Sequence, residues 1–517
     1  MLIKRPPYQF WNYRDVRKKK LVPITSPELM PVYTSAFRTV HGMISHHILL
    51  PLKELPNQLI QRLKADLTLP NPEFISASKY GKGFVSYAIP EFVYLYCIDT
   101  EYIGLPRSIR LPYLHKQFTK CGLKLELEDV KPQFELLTWK ECGEIKPYFY
   151  QNDAIKKIVE ENVTIKFRCG KGKSYIALMA LAKIGLKALI IVRTNVLITQ
   201  WVESIKKIFN VSKEQIGIIN GKIKREGQIT VCTEQSLISL SREEKKRIGK
   251  VYGFICCDEG HQVCSKKYHD LITYFKAKRL CALTATPDRE DGMTPILKAY
   301  VGPIYEVDDL GEFQTRIFLR KTDFIYQFNG KKDKYHELIN ALIHDEKRNQ
   351  LIIDDIKEFL NSGKIIICYS NRILHMELLQ NMIKKQAPSV KTNIVASRKY
   401  GVTLKIEDND KTRDDLKSMK IQGIFAGKIA EEGFDCPSLS VAIMATPSKS
   451  IRLILQVLGR CQREWLGKKE AVLLDYVDEK CKILLYQFFS KNRRIYKDYK
   501  KEYLTDGSQY YLNMEVK

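Results

Sequence analysis

Short β-branched apolar runs alternate with amphipathic stretches from about residue 150 onward. The runs are VTIKF (163–167), ALIIV (188–192), QITVC (228–232), FICCD (254–258) and LCALTAT (280–286). Each is shorter than a helix needs and nearly continuous in apolar residues, as a strand buried on both faces must be. Most are followed by residues with apolar positions at helical spacing, so the pattern predicts parallel strands joined by helices. A second series follows: KIIICYS (364–370), TNIVAS (392–397), GIFAGK (423–428), VAIMAT (441–446) and AVLLDY (471–476). Two successive open α/β units are therefore expected. The segment around 305–335 has weaker periodicity and frequent Gly, Asp and Lys, and is expected to join them.

Residues 1–140 do not share that rhythm. HHILLPLKELPNQLIQRLKADL predicts a helix after Pro51, and GFVSYAIPEFVYLYCI reads as strand, so a separate N-terminal α+β unit is expected. His46 and His47 precede an apolar run and mark the entry to an element rather than a metal site. The stretch CKILLYQFFSKNRRIYKDYKKEYL, from residue 481, predicts a basic helix with interleaved aromatics. It admits two readings. Arg493, Arg494, Lys497, Lys500 and Lys501 meet phosphates while Tyr496, Tyr499 or Tyr503 stack on bases; or the aromatics dock on the neighbouring unit and leave the charges in water.

Composition narrows the class. The 517 residues are 44% hydrophobic, enough for about three domains with real cores. No apolar run reaches the ~18 residues of a membrane helix. The opening MLIKRPPYQFWNYRDVRKKK has charges without the apolar stretch of a secretory signal. The thirteen cysteines form no CxxC pair, and Cys256, Cys257, Cys281 and Cys368 sit inside apolar runs. That pattern argues against a zinc ribbon and for a reducing, cytoplasmic or nuclear setting. Lys and Arg number 85 against 59 acids, a formal charge of +26. The excess fits a polyanionic partner, nucleic acid first; a Lys-rich composition with solvated surfaces is the other reading.

VTIKFRCGKGKSYIALMALAKIG (163–185) combines a strand, a Gly-containing turn and a helix. In such a turn Cys169, Gly170, Lys171 and Gly172 present backbone N–H groups to phosphates, helped by the helix N-terminus. Lys173 then reaches the terminal phosphates and the Ser174 hydroxyl holds Mg²⁺. Phe167 stands where the first Gly of the full pattern belongs, and a plain basic turn is the alternative for the isolated GKGKS. Asp258 and Glu259 end the FICCD run. They read either as an acidic strand-end turn or as a Mg²⁺-holding carboxylate followed by a carboxylate that polarises the attacking water.

The order of these stretches resembles the superfamily 2 helicases and translocases over about residues 147–476. Gln151 resembles the adenine-contacting glutamine of that family, and RCGKGKS its motif I. VRTNVLITQW (192–201) is similar to motif Ia, with Arg193 in place of Pro, and VCTEQSL (231–237) to the next nucleic-acid motif. DEGH (258–261) resembles the Walker B box, with Gly260 where Ala or Cys is usual, and LTATPDRED (283–291) motif III. YSNR (369–372), AGKIAEEGFDCPSL (426–439) and QVLGRCQRE (456–464) resemble motifs IV, V and VI. The triplet Arg289, Glu290, Asp291 is similar to that of the XPB/UvsW-like branch, and poxvirus transcript-release helicases are similar in size and arrangement.

The resemblance implies an α/β fold: two tandem RecA-like parallel-sheet domains, 141–305 and 306–480, with an N-terminal accessory domain over 1–140 and a tail over 481–517. It implies ATP and Mg²⁺ as cofactors, with Gln456, Arg460 and Arg463 completing the catalytic set as transition-state contacts from the second domain. It implies nucleic-acid or coupling roles for Arg193, Thr194, Thr233, Thr284, Thr286, Arg289 and Arg372. The expected activity is that of an ATP-dependent DNA helicase or duplex-DNA translocase working 3′–5′, with duplex or forked DNA as partner and no membrane. An RNA helicase or transcript-release ATPase is the alternative, and an inactive nucleic-acid-binding module a third. The size and composition suit a large DNA virus, a phage or a plasmid as well as a cell.

Overall fold

The computed structural model describes residues 37–80, 89–143, 146–167, 172–289, 291–307, 314–327, 335–395, 409–427, 436–448, 450–463, 465, 468 and 470–504. They fall into two compact units, one within Met1–Phe167 and Lys173–Asp309, the other within Arg168–Gly172 and Leu310–Lys517.

The first unit holds two principal sheets. The N-terminal one runs, edge to edge, Cys97–Ile98, Tyr102–Pro106, His47–Pro51, Arg38–Ile44 and Leu123–Asp129. Its pairings are antiparallel except that of Arg38–Ile44 with Leu123–Asp129. Helices Asn57–Asp66 and Leu111–Lys120 place Leu59, Leu63, Leu114 and Phe118 in its core. His47 opens a strand and packs edge-on against Tyr300 at 5.9 Å, an ordinary aromatic contact.

The second sheet runs Lys224–Arg225, Ile216–Ile219, Ile229–Thr233, Ala188–Val192, Phe254–Asp258, Arg279–Thr284, Val163–Lys166 and Ile304–Glu306. All pairs are parallel except the first. Its central strands are buried on both faces. Leu189 and Ile191 enter one core while Ala188, Ile190 and Val192 enter the other; Ile255 and Cys257 alternate with Phe254 and Cys256 in the same way. This two-sided burial is why ALIIV carries no polar residue and FICCD only its terminal Asp258.

The N-terminal sheet and one face of the parallel sheet share a single core, in which Leu105 and Phe118 belong with Tyr268, Phe275 and Tyr300. Arg107, buried, ties the join: its guanidinium donates to the carbonyls of Phe275 at 3.3 Å and Ala277 at 2.7 Å. Burial pushes that guanidinium down to about 10. Ser108 donates to the carbonyls of Tyr300 and Val301.

The second unit is built on an all-parallel sheet ordered Thr392–Val395, Gly423–Ala426, Ile366–Tyr369, Val441–Met444, Glu470–Val477, Gln314–Lys321 and Lys500–Leu504. Buried ion pairs fix its ends. Arg348 pairs with Asp478 at 2.8 Å, Arg320 with Asp355 at 2.5 Å, and Lys491 with Asp475.

The structure fills in the sequence reading in three places. The joining segment around 305–335 contributes Ile304–Glu306 to one sheet and the eight-residue strand Gln314–Lys321 to the other. Between the phosphate-loop helix and Asp258, Ile216–Ile219 adds a third parallel strand to the runs ALIIV and QITVC. Of the two readings of the tail, Tyr496 follows the docking one. It is buried, and its hydroxyl donates to Asp475 at 2.7 Å, while Lys500–Leu504 joins the sheet edge.

Candidate nucleotide and nucleic-acid site

The carboxyl ends of five neighbouring parallel strands line up the residues named in the first unit. Thr233 pairs in register with Val192, Asp258 with Leu283 and Thr284 with Lys166. Chain reversal at this edge places Arg193, Glu259 and Phe167 just beyond it, where open α/β sheets bind ligands.

Gly172 has φ +87°, a left-handed conformation that favours glycine, and helix Lys173–Ile184 begins at the next residue. Lys173 and Ser174 therefore occupy the first turn of a helix following strand Val163–Lys166, with Ser174 half-buried. Cys169, Gly170 and Lys171 lie outside the described residues. Phe167, in place of a loop glycine, is buried; Tyr150 packs on it at 5.7 Å between ring centroids, and its N–H donates to Thr284. Gln151 is buried in the first turn of helix Phe149–Glu160, and its Oε1 accepts from the Tyr148 N–H at 3.1 Å. Tyr148 stacks on Tyr150 at 5.3 Å. Gln151 and the phosphate-loop start are thus joined through one aromatic cluster.

Asp258 is held from two sides. Its Oδ2 accepts the indole N–H of Trp201 at 2.9 Å, and its Oδ1 accepts the Glu259 N–H at 2.9 Å. Glu259 takes φ 51°, ψ 52°, a left-handed conformation uncommon outside glycine and typical of residues constrained for function. Its Oε2 lies 3.3 Å from Nδ1 of buried His261, which is 3.2 Å from Oγ1 of Thr284. The Thr286 N–H donates to that same hydroxyl at 3.1 Å. A polar chain therefore runs from the acidic pair to both threonines. Gly260 lies against strand Arg279–Thr284: a Cβ there would meet the Ala282 Cβ at 2.5 Å. Its departure from the family residue has a local steric cause.

Arg289 turns its guanidinium onto Asp291, with Nε–Oδ1 at 2.9 Å, and its Nη1 donates to the His261 carbonyl at 3.1 Å. It buttresses the acidic turn. Glu290 lies outside the described residues.

Arg193, Thr194 and Thr233 meet in one cleft of about 590 Å³, which Asn220, Lys224 and Ser236 also line. Thr194 caps helix Asn195–Ile208 by accepting from the Leu197 N–H, and Thr233 caps Glu234–Ile238 by accepting from Ser236. Two helix starts and two cations facing one cleft suit a phosphate backbone. The neighbouring Glu234 carboxyl is pushed up by burial, with Arg193 opposing the shift.

In the second unit, Gln456 and Arg460 are buried on helix Ile451–Cys461, which Ser450 caps, and Arg463 is half-buried just past its end. Gln456 Oε1 is buried and has no hydrogen-bond partner among the described residues. Lys468 donates to the carbonyls of Pro437 at 2.9 Å, Leu439 at 2.6 Å and Arg463 at 2.7 Å. It ties the end of the motif V segment to motif VI, and burial pushes its ammonium down to about 8. Residues 428–435 of that segment, and Glu464, lie outside the described residues. Arg372 follows strand Ile366–Tyr369; its N–H donates to Ser370 Oγ at 3.2 Å, and Ser370 in turn meets His375 at 3.1 Å.

Trp201, His261 and Lys468 were not singled out from the sequence. Trp201 closes the motif Ia stretch and His261 the DEGH box, so their positions carried a signal. Lys468 carried none, since its partners are backbone carbonyls.

The donor set fits the expected groups. Asp258 and the Ser174 hydroxyl are oxygen ligands, as Mg²⁺ requires, and Lys173 opens a helix after a φ-positive glycine, as a triphosphate site requires.

The family model described as type III restriction enzyme, res subunit, matches residues 144–289, and that of the helicase conserved C-terminal domain residues 347–464. The chain is 26% identical over 442 residues to a protein of Acanthamoeba polyphaga mimivirus provisionally named ATP-dependent RNA helicase L396, covering 82% of this chain and 79% of that one. It is 26% identical over 405 residues to the DNA 3′-5′ translocase XPB2 of Sulfurisphaera tokodaii, covering 71% and 90%. Among solved structures, S. cerevisiae Dbp5 bound to RNA and ADP BeF3 matches with a TM-score of 0.51 at 13% identity, covering 69% of this chain and 90% of that one, a likeness of fold. Motif order, sheet topology and these likenesses agree: the chain belongs to the superfamily 2 helicases, ATP-dependent proteins built on paired RecA-like sheets.

Proposed function

We propose that this chain is an ATP-dependent motor of the XPB/UvsW-like branch that moves along or remodels duplex DNA in the 3′–5′ sense. The observation that carries the reading is the polar chain Asp258–Glu259–His261–Thr284, because it links the hydrolytic acids to the residues that couple hydrolysis to a bound strand. Lys173 binds the terminal phosphates, Glu259 takes up a proton from the attacking water, and Gln151 contacts the adenine. Ser174 and Asp258 would hold Mg²⁺, which would neutralise phosphate charge. Gln456, Arg460 and Arg463 stabilise charge on the transferring phosphate. Residues 1–140 select the substrate.

Duplex DNA is favoured by the Arg289–Asp291 pair of the XPB-like triplet and by the relative named a DNA translocase. The relative named an RNA helicase, and the vaccinia virus transcript termination protein OPG145 at 26% identity, favour a second reading on RNA or a transcription complex. The test compares ATP turnover with duplex DNA, single-stranded DNA and RNA in the wild type and in Lys173→Ala. The expected result is strongest stimulation by duplex DNA, with turnover abolished and DNA binding kept in the variant. Strongest stimulation by RNA would shift the reading to the second, and retained turnover in the variant would overturn the ATP site itself.

A further inference from the structure

Helix Lys482–Arg494 has two opposite stripes. Leu484, Phe488 and Lys491 face inward, where Lys491 pairs with buried Asp475. Lys482, Tyr486, Phe489 and Arg493 are exposed, at spacings of four, three and four, so they lie along one outer face. Tyr486 is 74% and Phe489 47% exposed, a large aromatic surface to leave in water. The helix is not short of anchorage: Ile495 and Tyr496, just beyond it, enter the core, and Tyr335 on a neighbouring helix hydrogen-bonds Gln487 on its flank. Phe489 meets the inner stripe at Phe488, ring centroids 6.0 Å apart, and still leaves nearly half of its surface in water.

We infer that this outer stripe is a stacking platform for single-stranded nucleic acid, separate from the cleft at Arg193 and Thr233. Each base presents a π-face that Tyr486 or Phe489 can cover, and the cations at either end of the pair meet the flanking phosphates. Charge complementarity selects this occupant over a protein. The helix KILLYQFFSKNRR contains no carboxylate and exposes Lys482, Arg493 and Arg494, in a chain of formal charge +26. These residues are not the Tyr496, Tyr499 or Tyr503 that the stacking reading of the sequence named; Tyr496 follows the docking reading and lies in the core. A strand displaced during remodelling would have a place to rest, so the inference rests on the motor reading above.

The experiment uses the full chain and a fluorescein-labelled oligodeoxythymidine of about 30 nucleotides, with a duplex of equal length as control. In Tyr486→Ala/Phe489→Ala the single-strand Kd should rise about tenfold or more, while duplex Kd and turnover without nucleic acid change by less than about twofold. Tyr486→Trp/Phe489→Trp should bind as the wild type does. Lys482→Ala/Arg493→Ala should lower the salt dependence of single-strand binding by about one to two phosphate contacts. An unchanged single-strand Kd in the alanine pair overturns the inference, as does a change confined to self-association. A wild type that binds duplex but not oligothymidine sinks the stacking platform alone; one that binds neither sinks the motor reading with it.

Discussion

The indole N–H of Trp201 donates to Oδ2 of Asp258 at 2.9 Å, and Thr194 caps the same helix about two turns upstream, in the wall of the Arg193–Thr233 cleft. One rigid helix thus touches both the proposed strand path and the proposed metal carboxylate. Movement of a strand against the cap would reach Asp258 through this helix and the Trp201 indole. Trp201→Phe keeps the buried ring surface and removes the donor. A hydrogen bond to a carboxylate contributes about 1.5–3 kcal/mol, so nucleic-acid-stimulated turnover is expected to fall about tenfold or more. Nucleic-acid affinity should hold. Steady-state kinetics with and without duplex DNA checks this; equal stimulation in wild type and variant would refute the linkage.

Gly260 is the residue that departs most visibly from the family's acidic box, and its neighbour explains it. A Cβ at 260 would lie 2.5 Å from that of buried Ala282. Gly260→Ala, although it restores the usual family residue, should destabilise the first unit by about 1–3 kcal/mol through overpacking. Ala282→Gly in the same chain should recover much of that loss. The coupling energy from a double-mutant cycle in denaturant is the readout; additive effects would mean that the two residues do not compete for space.

The strands that could be read from the chain were those buried on both faces, such as Ala188–Val192 and Phe254–Asp258. Gln314–Lys321 was missed because it carries Arg316 and Arg320 at alternating positions. Those charges are paired in the fold, Arg316 with Glu502 and Arg320 with Asp355, partners too distant in the chain for a local pattern to reveal. Lys500–Leu504 reads as a charged tail for the same reason, and becomes an edge strand beside Gln314–Lys321. At the site, motif spacing located Asp258, Thr284 and Thr233. It could not locate the Trp201–Asp258 bond, or the turn of Arg289 toward Asp291 and the His261 carbonyl, since both are set by packing across the sheet edge.

Lys468 supplies three hydrogen bonds to carbonyls from two segments, Pro437 and Leu439 on one side and Arg463 on the other. Lys468→Met keeps the apolar stem and leaves those carbonyls short of donors. Each unsatisfied buried acceptor costs about 1–3 kcal/mol, so the second unit should lose stability of at least that order. Because Arg463 is one of the three anchors, ATP turnover should fall about tenfold while nucleotide affinity changes little. Full turnover in a folded Lys468→Met chain would show that Arg463 needs no such anchor.

His375 gives the second unit a pH limit. It is buried between Ser370, 3.1 Å from its Nδ1, and Asn349, 2.9 Å from its Nε2. Burial, then the charge of Arg348, then that of His344, push the imidazole down to about 3. The folded chain therefore holds it neutral where the unfolded chain, titrating near 6.5, would protonate it. Between these two values the unfolded state binds more protons, so stability is full above about pH 6.5 and falls by about 1.4 kcal/mol for each pH unit below it. Hydrogen exchange at the amides of strand Ile366–Tyr369, compared at about pH 7 and pH 5.5, should report an opening free energy lower by about 1.3 kcal/mol at the acid end. His375→Gln keeps a polar group between Ser370 and Asn349 but cannot titrate, so its opening free energy should change much less over the same range. Matching pH slopes in the two chains would mean that the imidazole is protonated in place, and that Ser370 and Asn349 accommodate the charge.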